Sequence, residues 1–163
     1  MALTPEQLAV VKSYILATPA LAALTSGAGT DYNTIANILS AAATPPFVVW
    51  RSSISRDDVM GDGFDWTQID NLSVGQARIW DWLFDNNQRT MNPSNTRTRS
   101  GIGECWKGTA AKLAVGTYVL TQCKRNAAQV EKLFAIGTGS DASPAKMVHE
   151  GGITLNEVAG LFN

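Results

Sequence analysis

The sequence predicts a mainly α fold: a helical domain with a small two-stranded β element and a long polar loop. Three observations carry this prediction. Apolar residues recur at helical spacing behind capping residues through most of the chain. The clearest run of β-favouring residues is Phe47-Val48-Val49-Trp50, which follows the pair Pro45-Pro46. From residue 86 to residue 103 the chain is dominated by Asn, Thr, Ser and Arg.

The chain has 163 residues, the length of one domain. It reads as a single domain, 1–163, made of an N-terminal helical pair (1–44) and a core (45–163) with an extended loop near 86–103. Hydrophobic residues are 45% and charged residues 17% of the chain, which excludes a disordered tail or a coiled-coil rod. With one His and two Cys, zinc fingers and most His-based metal centres are excluded, and no cofactor or metal is expected. No stretch approaches the roughly 20 apolar residues of a spanning helix. Residues 1–7 lack the basic start of a signal peptide, so neither membrane nor secretion is expected.

Taken in order, the first helix opens with Thr4 as cap, Pro5 at its first position and Glu6 and Gln7 behind. It carries Leu8, Val11, Ile15 and Leu16, and Thr18-Pro19 breaks it before a short turn over 20–24. Asp31 caps a second helix whose stripe is Ile35, Ile38, Leu39 and Ala42. After the strand at 47–50, Ser55 caps a brief turn over 56–60 and Asp65 caps another carrying Trp66 and Ile69. Ser73 caps a helix running to about Phe84. Its core side holds Val74, Ala77, Trp80 or Ile79, and Leu83 or Phe84, with Trp82 off that stripe. Beyond the polar loop, 104–125 reads as one long helix and 126–136 as a further helical segment. On one helix Cys105 and Cys123 stand roughly 27 Å apart, too far for a disulfide, so both are expected as buried free thiols in a reducing compartment. Gly101 and Gly103, like Gly137 and Gly139, read as turn glycines. Met147-Val148-His149-Glu150 alternates and is the expected strand partner of 47–50, with His149 a paired or half-exposed structural residue. Thr154 caps a last helix with Leu155, Val158, Leu161 and Phe162.

Chemistry is sparse. Asp81 and Asp85, spaced i,i+4, share a helix face and raise a catalytic or metal role, but a solvated acidic face explains them better. Asp57, Asp58, Asp62 and Asp65 lack the spacing of a calcium loop. The Gly-x-Gly pairs lack a third glycine or a Gly-Lys-Ser/Thr sequence, and the Ser residues near 52–55 lack a nucleophile elbow. Segment 154–159 opens like a helix of a DNA reader, but no basic recognition face follows it. Charge is distributed more informatively. Seven acids against one base fill 57–85, and seven bases against one acid fill 86–125, so a net charge of -1 hides two opposed runs. Either they neutralise each other within the monomer, or they make a two-faced protomer suited to head-to-tail association.

Phe47-Val48-Val49-Trp50-Arg51, Asp65-Trp66 and Gly75-Gln76-Ala77-Arg78 together resemble small structural proteins of the tailed-bacteriophage head. Residues 97–103, 131–139 (Glu131-Lys132-Leu133-Phe134-Ala135-Ile136-Gly137-Thr138-Gly139) and 150–154 continue the likeness, which spans about 45–162. The resemblance implies a head–tail connector, also called an adaptor or head-completion protein: a non-enzymatic virion subunit. Such a subunit assembles in the host cytoplasm as a ring on the portal protein and joins it to the tail or a second adaptor. Non-specific contact with packaged DNA is also implied. The alternatives are a tail-completion or minor capsid protein, and a small metal-dependent hydrolase using Asp81 and Asp85. On the connector reading, Arg89, Arg97, Arg99, Trp82, Asp81 and Asp85 are the expected contacts with a partner or neighbouring subunit.

Overall fold

The computed structural model describes residues 2–84 and 88–163. The mainly α expectation holds: nine helices and two small two-stranded sheets form among the described residues. They are distributed over two compact units, Met1–Val49 with Asn126–Asn163, and Trp50–Arg125.

The first unit joins the two ends of the chain. Helix α1 (Pro5–Ala17) starts in a capping box: the Gln7 N–H donates to Thr4 Oγ1 at 3.3 Å, and the Thr4 N–H to Gln7 Oε1 at 2.9 Å. Thr18 is extended, as a residue before proline prefers, and α2 (Pro19–Ala22) begins at once behind it. Asp31 caps α3 (Tyr32–Ser40) by accepting the Thr34 N–H at 2.9 Å. Val11, Ile15, Leu21, Ile35 and Leu39 from these helices form one core with Val130, Ile153 and Val158. Those last residues belong to α8 (Gln129–Phe134) and α9 (Leu155–Gly160), or lie just before α9. Of the expected stripe on α3, Ile38 is exposed and Ala36 takes its place inside. Ser40 Oγ donates to the Ile153 carbonyl and accepts the Ile153 N–H, tying α3 to the segment before α9.

The expected pairing of 47–50 with 147–150 is corrected. Strand β1 (Val48–Trp50) pairs in its sheet with β4 (Lys124–Asn126), and Val49 makes a parallel bridge to Ala145, upstream of the segment named from the sequence. Residues 147–150 form no strand, yet Met147 and His149 are buried while Val148 and Glu150 are exposed. Alternation of burial is real there. No strand accompanies it, because alternation of burial does not by itself make one. Gly137 and Gly139 sit at φ +127° and +66°, as turn glycines should.

In the second unit, β2 (Ile54–Ser55) pairs antiparallel with β3 (Thr90–Met91) and α4 (Arg56–Val59) follows it directly. Helix α5 (Val74–Leu83) starts in a capping box of Ser73 and Gln76. The expected polar loop is corrected over much of its length: besides β3, it holds α6 (Thr96–Cys105), where the Arg97 N–H donates to the Asn95 side chain. The single long helix 104–125 is also corrected. Helix α6 ends at Cys105, Gly108 takes φ +119°, and Thr109 caps a new helix, α7 (Ala110–Gln122). Gly101 is therefore helical rather than a turn residue. A Cβ there would stand 3.0 Å from Leu83 Cδ2, so its lack of side chain lets α6 approach α5.

The core of this unit is aromatic. Trp80 and Trp106 meet edge to face at 5.2 Å between ring centroids, with Phe64 5.7 Å from Trp106, and Ile102, Val115 and Val119 complete the packing. Cys105 and Cys123 are both free and buried in this cluster, on different elements.

Candidate functional site

The second unit contains a cavity of about 510 Å³, within the range of roughly 300–1,000 Å³ typical of ligand sites. Sequence order explains its wall. Ser55 ends β2 and accepts the Asp58 N–H at 3.0 Å, which starts α4 with Arg56 and Asp57 on the rim. Pairing of Ser55 with Thr90 brings Arg89 alongside, and its carbonyl accepts the Arg56 N–H at 3.1 Å. Asp65 accepts the Thr67 N–H and turns the chain so that Trp66 stands at the cavity edge, 60% exposed. The Thr67 hydroxyl, which donates to the same carboxylate at 2.6 Å, and this N–H hold the Asp65 carboxyl below its ordinary range. Ile69, Leu72, Ala77 and Trp80 supply the apolar wall.

The electrostatics of the rim are uneven. Arg56 donates to Asp81 Oδ1 at 2.6 Å and lies 5.5 Å over the Phe84 ring. Asp57 and Arg89 have no ion-pair partner among the described residues, and Arg89 holds φ +50°, uncommon for a side chain of its size. Trp80 is 2% exposed and its Nε1 donor has no acceptor among the described residues.

The residues named from the sequence are only partly brought together. Asp81 and Arg89 both line the cavity. Trp82 lies on another face of α5, 65% exposed, with the Arg78 guanidinium 6.0 Å over its ring. Asp85 lies outside the described residues, so the Asp81–Asp85 pair has no described geometry; Asp81 itself is engaged by Arg56. Arg97 and Arg99 are two residues apart on α6 and so leave it about 200° apart. Arg97 is exposed and its guanidinium has no ion-pair partner among the described residues. Arg99 turns inward: it donates to the carbonyls of Pro93 and Ser94 at 2.6 and 3.0 Å and sits 4.7 Å over Trp50. Burial lowers its guanidinium pKa from the ordinary value. Arg56, Asp57 and Trp66 were not singled out as site residues from the sequence. The available signal was Trp66, a large aromatic in a capped turn with no stripe to join.

Elsewhere, His149 is buried rather than half-exposed. It packs edge to face on Phe134, and its Nε2 has no hydrogen-bond partner among the described residues. Among the described residues no three His, Cys, Asp or Glu side chains gather as metal ligands, and no helix is long and apolar enough to cross a membrane. No family model matches the chain, and no curated protein or solved structure matches it either.

Proposed function

We propose that the protein is a structural subunit of a tailed-bacteriophage virion, a head–tail adaptor that assembles as a ring on the portal and joins head to tail. The observation that carries this reading is the surface of α5. Val74 and Trp82 are 78% and 65% exposed on a ten-residue helix, with the Arg78 guanidinium, in no ion pair among the described residues, against the Trp82 ring. Large exposed aromatics next to arginine are the residues that anchor protein interfaces. Residues 48–50, 75–78, 97–103 and 131–134 of the segments that resemble connector proteins fall in β1, α5, α6 and α8, so the resemblance touches both units. On this reading the partners are further copies of the chain, the portal and a tail or second adaptor protein. Arg97, exposed at the start of α6, is available to protein or to packaged DNA, and the place of action is the head–tail junction.

The test uses the purified full chain with portal rings at low and at moderate ionic strength, read by sedimentation and electron microscopy. Ring-shaped density on the portal is expected, weakening with salt because the unpaired charges are screened over about 8 Å at physiological strength. A chain that stays monomeric and leaves portal rings bare at both salts refutes the proposal. Density elsewhere on the particle would instead mark a tail-completion or minor capsid protein.

A further inference from the structure

Two surfaces of the second unit are complementary to each other and cannot meet within one subunit. The first is a knob. Val74, Arg78 and Trp82 recur every fourth residue on α5 and share one face. Trp82 projects into solvent there, with Arg78 against its ring and no carboxylate paired to that guanidinium among the described residues. The second is a hole. Roughly 110° round the same helix, Ala77, Trp80 and Asp81 line the 510 Å³ cavity. Its edge is an exposed indole, Trp66, and its rim holds one anion, Asp57, and one cation, Arg89, neither of them in an ion pair among the described residues.

We propose that the occupant of this cavity is a second copy of the chain, which inserts Trp82. The incoming indole packs against Trp66 and the apolar wall, Arg78 beside it pairs with Asp57, and Arg89 lies over the free face of the indole. The charges select this occupant. The knob brings a cation where the rim has an unpaired anion, and an aromatic face where the rim has an unpaired guanidinium. Knob and hole occupy different faces of one helix, so every subunit gives one and receives one. That is the heterologous contact that closes into rings. The inference rests on the adaptor reading and names the surface by which neighbouring subunits would join.

The experiment measures self-association of the full chain by sedimentation velocity, for the wild type, Trp82→Ala, Asp57→Arg, Arg78→Asp and the Arg78→Asp/Asp57→Arg double variant. All the altered residues are exposed, and circular dichroism confirms that each variant is folded. Trp82→Ala is expected to weaken association at least tenfold, as loss of a central aromatic anchor does. Each single charge reversal is expected to weaken it several-fold and the double variant to recover it. Mixing Trp82→Ala, which keeps an open hole, with Asp57→Arg, which keeps a knob, should give pairs that do not grow further. Oligomers that persist unchanged in Trp82→Ala and Asp57→Arg overturn this docking and leave the adaptor reading standing. A wild type that remains monomeric at every accessible concentration also overturns it, and binding to portal rings then decides the adaptor reading separately.

Discussion

The two cysteines tie stability of the second unit to alkaline pH. Burial pushes the Cys105 thiol from its ordinary 9.0 up to about 12, against the lowering influence of Lys112. Burial does the same to Cys123, up to about 12, against Arg51 and Arg99. Below pH 9 both thiols are protonated in the folded and the unfolded chain, and they contribute no pH dependence. Above pH 9 the unfolded chain releases these protons and the folded chain keeps them. The unfolded state then binds fewer protons, and the free energy of unfolding falls as pH rises. One pH unit corresponds to about 1.4 kcal/mol per group. From pH 8 to pH 10.5 each thiol therefore removes about 2 kcal/mol, and the pair about 4 kcal/mol, a large share of the roughly 5–15 kcal/mol of a typical domain. The loss would be complete only near pH 12.

The assay is urea unfolding under reductant at pH 8, 9, 10 and 10.5, followed by the emission of the core residues Trp80 and Trp106. The comparison is with a Cys105→Ala/Cys123→Ala variant, in which Tyr and Lys titrate as before. The variant starts less stable, because two buried side chains are cut back. Its stability should nevertheless decline with pH less steeply than the wild type, by about 1.4 kcal/mol per thiol for each unit above 9. Equal slopes in the two proteins would refute the reasoning. So would rapid reaction of either thiol with a disulfide reagent in the folded state at pH 8, since a protonated, buried thiol is a poor nucleophile.

Three further outcomes follow from the geometry. Gly139→Ala forces a side chain into φ +66° and places its Cβ 2.2 Å from the Phe47 ring. Left-handed strain of roughly 1–2 kcal/mol and overpacking of roughly 1–3 kcal/mol should lower the melting temperature markedly. Thr154→Ala removes the acceptor for the Glu157 N–H and the hydroxyl that Glu157 itself accepts; about 1 kcal/mol of stability should be lost in chemical denaturation. Asp81→Asn breaks the bond to Arg56 on a carboxylate that is 66% exposed. A change of no more than about 1 kcal/mol is expected in the same assay, as for surface pairs generally.

The parts of this structure that could be read in the sequence are those set by neighbours a few residues apart. Thr4, Asp31, Ser55, Asp65, Ser73 and Thr154 each start the element expected of them, because a cap needs only its own side chain and the next two or three N–H groups. Strand pairing was not legible, because β1 finds β4 and Ala145 from far along the chain. Helix α6 was hidden by composition. Thr96, Arg97, Thr98, Arg99 and Ser100 look like loop, yet Ile102 and Cys105 anchor the helix and Arg99 satisfies the carbonyls before it. The site divided in the same way. Trp82 stood out because it leaves the α5 stripe, whereas Arg56, Asp57 and Trp66 become a wall only when β2 pairs with β3.

The near-zero net charge has a structural counterpart in these pairings. The first unit holds three lysines (Lys12, Lys132 and Lys146) against six carboxylates (Glu6, Asp31, Glu131, Asp141, Glu150 and Glu157). The second contains both of the opposed runs, acidic then basic, in a single compact body. If they simply neutralised each other, ion pairs would cross from one run to the other. Two ion pairs among the described residues are of another kind: Asp81 with Arg56, which precedes the acidic run, and Lys107 with Glu104 inside the basic one. Asp57, Asp62 and Asp70 on one side, and Arg89 and Arg97 on the other, have no ion-pair partner among the described residues. Exposed charges of this kind contribute little to the stability of a lone subunit. Between subunits, opposite patches speed association and reject misaligned contacts. The same residues that a folding argument can ignore are thus the ones an assembly argument needs. If the adaptor proposal holds, salt should therefore slow assembly far more than it destabilises the chain.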